Sequence, residues 1–500
     1  MNLASIAEGH NGDDVAIINR SESTTYAELS DLVARARGGL AANGIGDGDR
    51  VALVCSNGLP MVVAYLATLG VGAVAVPLNP TSPAAELERQ LSTVEAVAAV
   101  VDRGASTSWL DIDRSRIPSM RLVVAADDAD IADSVPGTEI LQSAPAAVVD
   151  VAPDHLAVLM FTSGTAGSPR AAMLTHGSLM ANLDQAKSTN DRLQPGDVMY
   201  GVIPLFHIFG LNVVLGMTLA SGAALLLVQR FDPATAIESF RSRRVTAIAG
   251  APAMWVAFSH FDEAPADSFE TVRIAYSGAA KLPVIVSERL QSMFGLVVVE
   301  GYGLTEASPI VTSSTGLVPR FGSVGVVLDG IEMRIVDETG GDCLVGDAGE
   351  IWIRGDNVFA GYLNDLEATA RVLTDDGWLR TGDIGYCDDD GRLFLVDRAK
   401  DLVIVSGFNV FPAEVEEVLL QHPGVEDVGV IGVPHPHTGE AVKAFVVPKQ
   451  GATLDEEALI EFALDYLARY KCPSKVIIVD ELPRNAAGKL VRRQLDNVLM

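Results

Sequence analysis

Phe161-Thr162-Ser163-Gly164-Thr165-Ala166-Gly167-Ser168-Pro169-Arg170 is the stretch on which the reading of this chain turns. It continues Leu156-Ala-Val-Leu-Met-Phe161, an unbroken apolar run with the length and composition of a buried strand. A strand that empties into small and hydroxyl residues makes a loop whose backbone N–H groups can curl around anionic oxygens. Thr162, Ser163 and Thr165 add donors, Gly164, Ala166 and Gly167 are small, and Arg170 closes the loop with a fixed positive charge. The ligand that suits this pattern is a polyphosphate. It is not the common nucleotide-triphosphatase loop, because Gly164 and Gly167 stand too close together and no lysine follows. A dinucleotide fingerprint is echoed at Gly70-Val-Gly72-Ala-Val-Ala75, but there a helical segment leads into a strand, the reverse of what the fingerprint requires.

Outward from this loop, helical and strand-like segments alternate. Tyr26–Asn43 reads as a helix, 50–55 as a strand, 60–69 as a helix and Val74–Pro77 as a strand, an order that favours parallel sheets covered by helices. Met61–Leu78 is a long uncharged run, but Gly70 and Gly72 break it into a buried helix and a buried strand, so no membrane span is expected. Leu211–Val228 reads the same way, split at Ser221-Gly222. From about Gly322 the texture changes to short alternating strands, such as 332–336 and 349–354, between Asp/Gly turns. Asp388-Asp389-Asp390 does not fit the calcium-loop spacing and reads as a hairpin turn. Beyond Lys400 helices over 412–421 and 454–470 flank strands over 425–433 and 441–448. The expected organisation is a large α/β domain over 1–397, its parallel sheets covered by helices and with a small antiparallel β-barrel or sheet over about 322–397. A hinge follows at 398–400, then a small mobile α+β domain over 401–500.

A formal net charge of −29 argues against nucleic acid or an anionic membrane as a general partner, and it obliges anionic ligands to find local cationic pockets. The four cysteines, Cys55, Cys343, Cys387 and Cys472, show no metal-ligand spacing and read as reduced thiols of a cytoplasmic protein. Met1-Asn-Leu-Ala-Ser-Ile has neither the basic start nor the apolar run of a secretory signal. His435-Pro-His437 has no third ligand nearby and reads as a loop.

Further motifs follow the phosphate loop in order. They are Pro204-Leu-Phe-His207-Ile-Phe-Gly210, Ser277-Gly-Ala-Ala280, Gly301-Tyr-Gly-Leu-Thr-Glu306, Thr381-Gly-Asp383, Asp397-Arg398-Ala-Lys400 and Pro483-Arg-Asn-Ala-Ala-Gly-Lys489. Together they resemble the acyl-adenylate-forming superfamily, which includes acyl-CoA synthetases, nonribosomal peptide adenylation domains and beetle luciferases. The resemblance spans about residues 20 to 495. It implies a two-step reaction: a carboxylate attacks the α-phosphate of ATP, with Mg²⁺ and loss of pyrophosphate, and a thiol, usually that of coenzyme A, then cuts the acyl-AMP.

The resemblance also assigns roles. The 162–170 loop holds the β- and γ-phosphates, although Ala166, Arg170 and Ala171 depart from the commonest pattern; Arg170 keeps the charge but offers a planar fork instead of a mobile point charge. Glu306 is the Mg²⁺ carboxylate, with Thr162 as a second oxygen, and Thr305 contacts phosphate. Tyr302 lies against adenine, with Gly278, Ala279, Ala280 and Gly303 nearby, while Asp383 and Arg398 hold the ribose. Lys489 binds both the substrate carboxylate and the α-phosphate, and Lys400 is the hinge about which the small domain swings. His207, Gly250, Ala251, Ser277, Gly278 and Gly303 are expected to line the acyl pocket.

Ser406-Gly-Phe-Asn-Val-Phe-Pro412 and Gly439-Glu-Ala-Val-Lys-Ala-Phe445 are especially similar to medium- and long-chain fatty acyl-CoA synthetases, with Ser406, Gly407 and Phe408 facing the thiol tunnel. That implies a fatty acid donor and coenzyme A as acceptor. Three alternatives stay open: a CoA ligase for a non-fatty carboxylate, an acyl-AMP ligase that loads a carrier protein, and a catalytically weak nucleotide or acyl-AMP binder. Chain length and oligomeric state are not legible.

Overall fold

The alternation of apolar strand runs with glycine-punctuated helices builds two large sheets that share a core. The computed structural model of the chain describes residues 2–19, 22–126, 129–162, 170–189, 191–398, 403–405, 408–435, 438–467, 469–485, 488–492 and 494–495. One sheet of seven strands runs in the order 135–136, 122–125, 98–101, 50–54, 74–77, 156–162 and 170–175. All its neighbours are parallel except the last pair, Leu156–Thr162 with Arg170–Thr175. A second sheet has nine strands in the order 326–327, 310–313, 299–303, 274–277, 247–250, 198–201, 224–227, 15–19 and 22–25. Its centre is parallel and both edges are antiparallel.

The helix Leu59–Gly70 is buried on every side from Met61 to Gly70, as an all-apolar helix must be. With Tyr26–Ala42 it belongs to one apolar core that takes residues from both sheets, among them Val51, Leu53, Leu225 and Ala247. Tyr26–Ala42 starts where it does because Thr25 and Glu28 form a reciprocal capping box.

A four-stranded antiparallel sheet follows, in the order 331–336, 349–355, 379–387 and 393–398. Asp388–Asp390 forms the turn before its last strand, and Arg320 pairs with Asp388 and Asp390 there. The last sheet pairs 408–410, 403–405, 439–448 and 425–435 antiparallel, and adds Lys475–Ile478 parallel to 439–448. It has apolar cores of its own, around Val430, Ala444 and Leu459 and around Phe445 and Leu495.

Two local expectations are corrected. The helix expected over 454–470 is Glu456–Leu464, started by the Asp455 side chain. His435 ends the strand Val425–His435 and does not lie in a loop, its register with Gly439 extending the ladder; His437 lies outside the described residues. Among the described residues no helix is long and apolar enough to cross a membrane, and all four cysteines are free thiols.

Candidate active site

The phosphate-loop sequence is clamped at both ends. Thr162 and Arg170 face each other across the antiparallel pair, so Arg170 returns as a strand beside the one that ends at Thr162. Ser163, Gly164, Thr165, Ala166 and Gly167 themselves lie outside the described residues, as do Lys400, Ser406, Gly407 and the side chains of Arg398 and Phe408.

On its other edge the strand Arg170–Thr175 is flanked by the segment 360–363. Met173 N donates to Gly361 O, Ala360 N to Met173 O and Leu363 N to Ala171 O, each at 2.9 Å. That pairing brings in Tyr362 and Asp365, which no motif had marked. Arg170 Nε donates to Asp365 Oδ2 at 2.9 Å, and the guanidinium stands 5.7 Å over the Tyr362 ring. Tyr362 in turn donates its hydroxyl to Glu306 Oε1 at 2.8 Å. The planar Arg fork suits this combination of stacking and directed bonding, which a lysine would not reproduce. Burial and the Glu306 charge push the Tyr362 phenol well above its ordinary range, so it stays a donor. Backbone donation from Ala368 and the Arg170 guanidinium hold Asp365 below the usual carboxylate range.

Glu306 sits in a short 3₁₀ turn, Thr305–Ala307, pinned by Phe359 N donating to its carbonyl at 2.9 Å. Among the described residues there is no cluster of three or more His, Cys, Asp or Glu side chains that could hold a metal by itself. A single carboxylate suits Mg²⁺, which keeps waters and binds through one or two carboxylates plus substrate phosphates. Glu306 and Thr162 are the residues that would hold it, and the ion would neutralise phosphate charge.

The residues expected to hold the nucleoside stand on separate strands. Tyr302 and Asp383 are both buried, and the Tyr302 hydroxyl donates to Asp383 Oδ2 at 2.7 Å. Arg398 is the backbone partner of Asp383 across the antiparallel pair. Gly278, Ala279 and Ala280 follow the strand Ile274–Ser277; Gly278 N donates to Gly250 O at 3.2 Å. Ala279 holds the left-handed conformation at φ +70°, a strained setting for a residue with a Cβ. Gly303 is exposed at the end of its strand, where a Cβ would overlap Pro309 O.

Lys489 comes from far along the chain. Its loop is a tight clip: Lys489 N donates to Asn485 Oδ1, Asn485 N to Lys489 O and Arg484 Nη1 to Gly488 O, all at 2.9 Å. Gly488 has φ +76°, which favours glycine. A Cβ on Gly488 would stand 3.7 Å from Ala253 Cβ and 3.9 Å from Ala251 Cβ, so the clip lies against the start of the helix Pro252–Ser259. The Lys489 charge reaches His207. Desolvation first, and that charge second, push the His207 imidazole down to about 4. Its Nδ1 accepts from Phe209 N at 3.3 Å, consistent with a neutral ring. His207 opens a wide π-helix, Phe209–Gly216, a form found mostly at functional sites. Ser277 is buried and its Oγ has no hydrogen-bond partner among the described residues. Beside this contact Lys281 Nζ pairs with Glu417 Oε2 at 2.8 Å, joining the large α/β part to the last sheet's helix Pro412–Leu420.

The buried Tyr302–Asp383 pair, the Glu306–Tyr362–Arg170–Asp365 chain and the Lys489 clip at the start of the helix Pro252–Ser259 are the geometry against which the comparisons are set. Residues 4–363 match the AMP-binding enzyme family and residues 414–489 the AMP-binding enzyme C-terminal domain. The chain belongs to the AMP-binding enzyme family. It is 37% identical over 500 residues to the 3-[(3aS,4S,7aS)-7a-methyl-1,5-dioxo-octahydro-1H-inden-4-yl]propanoyl:CoA ligase of Mycobacterium tuberculosis, covering 97% of this chain and 95% of that one. It is 36% identical over 516 residues to a long-chain-fatty-acid–CoA ligase of Yersinia pestis, covering 97% and 91%. Its fold matches ATP-bound MatB from Rhodopseudomonas palustris with a TM-score of 0.92, 33% identity and 99% of each chain covered. Apo MatB gives 0.81 at the same identity and coverage. The protein is an AMP-forming acid–thiol ligase that uses ATP, Mg²⁺ and coenzyme A to make an acyl-adenylate and then a CoA thioester.

Proposed function

We propose that the acid is a monocarboxylate with an apolar body, activated where the Lys489 clip meets His207 and the strand end Ser277–Ala280. The observation that carries this reading is the placement of the Lys489 clip, with Gly488 against Ala251 and Ala253 at the start of the helix Pro252–Ser259; the lysine charge is felt, after desolvation, by the buried His207 ring 282 residues away in sequence. A carboxylate and an α-phosphate repel each other, and a cation between them removes most of that barrier in a site shielded from water. His207, neutral at physiological pH, adds no second positive charge and can donate from Nε2. Tyr302 and Asp383 hold the nucleoside, and the Glu306–Tyr362–Arg170–Asp365 chain fixes the carboxylate and cation beside the phosphate hairpin.

The Yersinia relative supports a fatty acid, and the Mycobacterium relative supports a compact ring-bearing acid. The proposed hinge at Lys400 carries Lys489 away before thiol attack, and Ser406, Gly407 and Phe408 face the incoming thiol. A carrier-protein acceptor is the second reading for that step. Four free thiols support a cytoplasmic setting.

The test is pyrophosphate release from MgATP across a panel of acids, then mass spectrometry of products with coenzyme A or a carrier protein. Lys489→Ala is expected to lower adenylation by roughly a hundred- to a thousandfold while thiolysis of supplied acyl-AMP persists. Equal loss of both half-reactions would refute the role given to Lys489, and no AMP from any acid would refute the reading itself.

A further inference from the structure

Beside Ser277, at the strand end proposed to receive the acid, stands an aromatic residue that no motif marks. Tyr276 stands in the strand Ile274–Ser277 between Ala275 and Ser277, which are buried at 3% and 1% exposure. Ser277 is in register with Gly250, and a Cβ on Gly250 would run into the Met254 and Trp255 side chains. The helix Pro252–Ser259 therefore covers that face of the sheet. Alternation along a strand sends Tyr276 to the opposite face, where its ring lies 6.1 Å from that of Phe209, at 57°. Phe209 is two residues beyond His207 and donates its N–H to that ring.

The two rings cover two glycines on neighbouring strands. A Cβ on Gly278 would stand 3.1 Å from Phe209 Cζ and 3.5 Å from Tyr276 Cε1. A Cβ on Gly301 would overlap the Tyr276 hydroxyl outright. So Tyr276 lies across the strand pair with its oxygen resting on the bare backbone of Gly301. Lys489, His207, Phe209, Tyr276 and Gly301 thus follow one another away from the reacting carboxylate.

Tyr276 is only half-buried, although it sits inside the nine-stranded sheet, so it borders open space. Its hydroxyl has no hydrogen-bond partner among the described residues. Burial first, and the Glu300 charge second, push the phenol above its ordinary range, so it remains a proton donor. A half-buried tyrosine usually finds a partner for its hydroxyl; here a ligand oxygen can be that partner.

We infer that Tyr276 is the end wall of the acyl pocket, and that it selects a compact acid carrying a carbonyl or hydroxyl oxygen at the end remote from its carboxylate. This rests on the ligase reading above and names the acid class within it. A long straight chain meets the ring, whereas a short chain or fused ring with a distal oxygen ends on the hydroxyl. A site built to hydrogen-bond such an oxygen rejects analogues without it far more strongly than an apolar pocket rejects a missing methylene.

The experiment measures kcat/KM for pyrophosphate release with straight-chain acids from four to sixteen carbons and with their ω-oxo or ω-hydroxy counterparts. Wild type, Tyr276→Phe and Tyr276→Ala are compared. Wild type is expected to favour the oxygenated compact acids over the plain ones by roughly tenfold or more. Tyr276→Phe should lower that ratio by a similar factor, and Tyr276→Ala should raise relative activity on acids of twelve or more carbons by roughly tenfold. If wild type turns over hexadecanoate as well as the compact acids, or if neither variant changes the profile, the inference is overturned while the ligase reading stands. If no acid releases pyrophosphate, that reading falls and takes this one with it. Tyr276→Phe preserves the ring's packing, so its result decides the hydrogen bond even if Tyr276→Ala fails to fold.

Discussion

The two sides of the active site are held by different physics. On the large α/β side three directed bonds lock side chains proposed to act: Tyr302 to Asp383, Tyr362 to Glu306, Arg170 to Asp365. Several of these groups are buried, where a hydrogen bond fixes geometry and a missing partner is costly. On the Lys489 side, among the described residues, Gly488 lies near Ala251 and Ala253, and the half-exposed pair Lys281 with Glu417 links the same two parts of the chain. An exposed ion pair contributes only about 0.2–1 kcal/mol. On the proposed hinge the second side would leave cheaply while the first keeps its bonds, which is what a reaction in two half-steps needs from a lobe that delivers a cation.

The largest break in that contrast comes from the locked side. Asp383→Ala removes the acceptor of the buried Tyr302 hydroxyl and, on the proposed reading, a nucleoside contact, so adenylation should fall by roughly a hundredfold or more. Thermal unfolding should also show a loss of about 1–3 kcal/mol. A stability loss with full activity would separate Asp383 from the nucleotide.

Lys281→Ala and Glu417→Ala probe the loose side. In a double-mutant cycle the coupling between them should be about 0.2–1 kcal/mol. It should be visible in single-turnover pyrophosphate release and absent from thiolysis of supplied acyl-AMP. Coupling of equal size in both half-reactions would show that the pair is not specific to this pose.

The smallest effect concerns Glu300, which lies under that boundary. Its carboxylate is buried at 6% exposure and accepts from Leu282 N at 2.9 Å, next to Lys281. Desolvation raises its pKa to about 7. Between the unfolded value of 4.5 and about 7 the folded chain holds the extra proton. This group's contribution to stability is therefore complete below that window and is lost as pH rises through it. Glu300→Gln keeps the acceptor and removes the titration. The stability difference between wild type and variant, from denaturant midpoints at pH 4.5 to 7.5, should shift against wild type by on the order of 2 kcal/mol as pH rises. A flat difference would mean that Glu300 keeps an ordinary pKa.

The order of elements was legible in the chain because strand runs such as 156–161 and helix periodicity such as 26–42 are local signals. The phosphate hairpin was half legible: its residues pointed to an anion, but nothing local showed that Arg170 returns antiparallel beside Thr162. Tyr362 and Asp365 were not legible, since they reach the site through a backbone pairing with a strand almost two hundred residues earlier. Tyr276 stood immediately before the Ser277-Gly-Ala-Ala motif and was still missed. What gives it meaning is the absence of a side chain at Gly301 on the next strand, and an absence has no local pattern.

The nine-stranded sheet carries one more consequence, for the birth of the chain. Val15–Asn19 is made about two hundred residues before its inner neighbour Ala224–Leu227, with Ile17 opposite Leu225. At a ribosomal pace of about 5–20 residues per second, the N-terminal ribbon waits roughly 10–40 s for that neighbour to emerge. Until then it has only Glu22–Thr25 beside it and shows a bare edge on its apolar side. The sheet is thus begun at its rim and closed from its middle, so its earliest strand is the one most in need of shielding during translation.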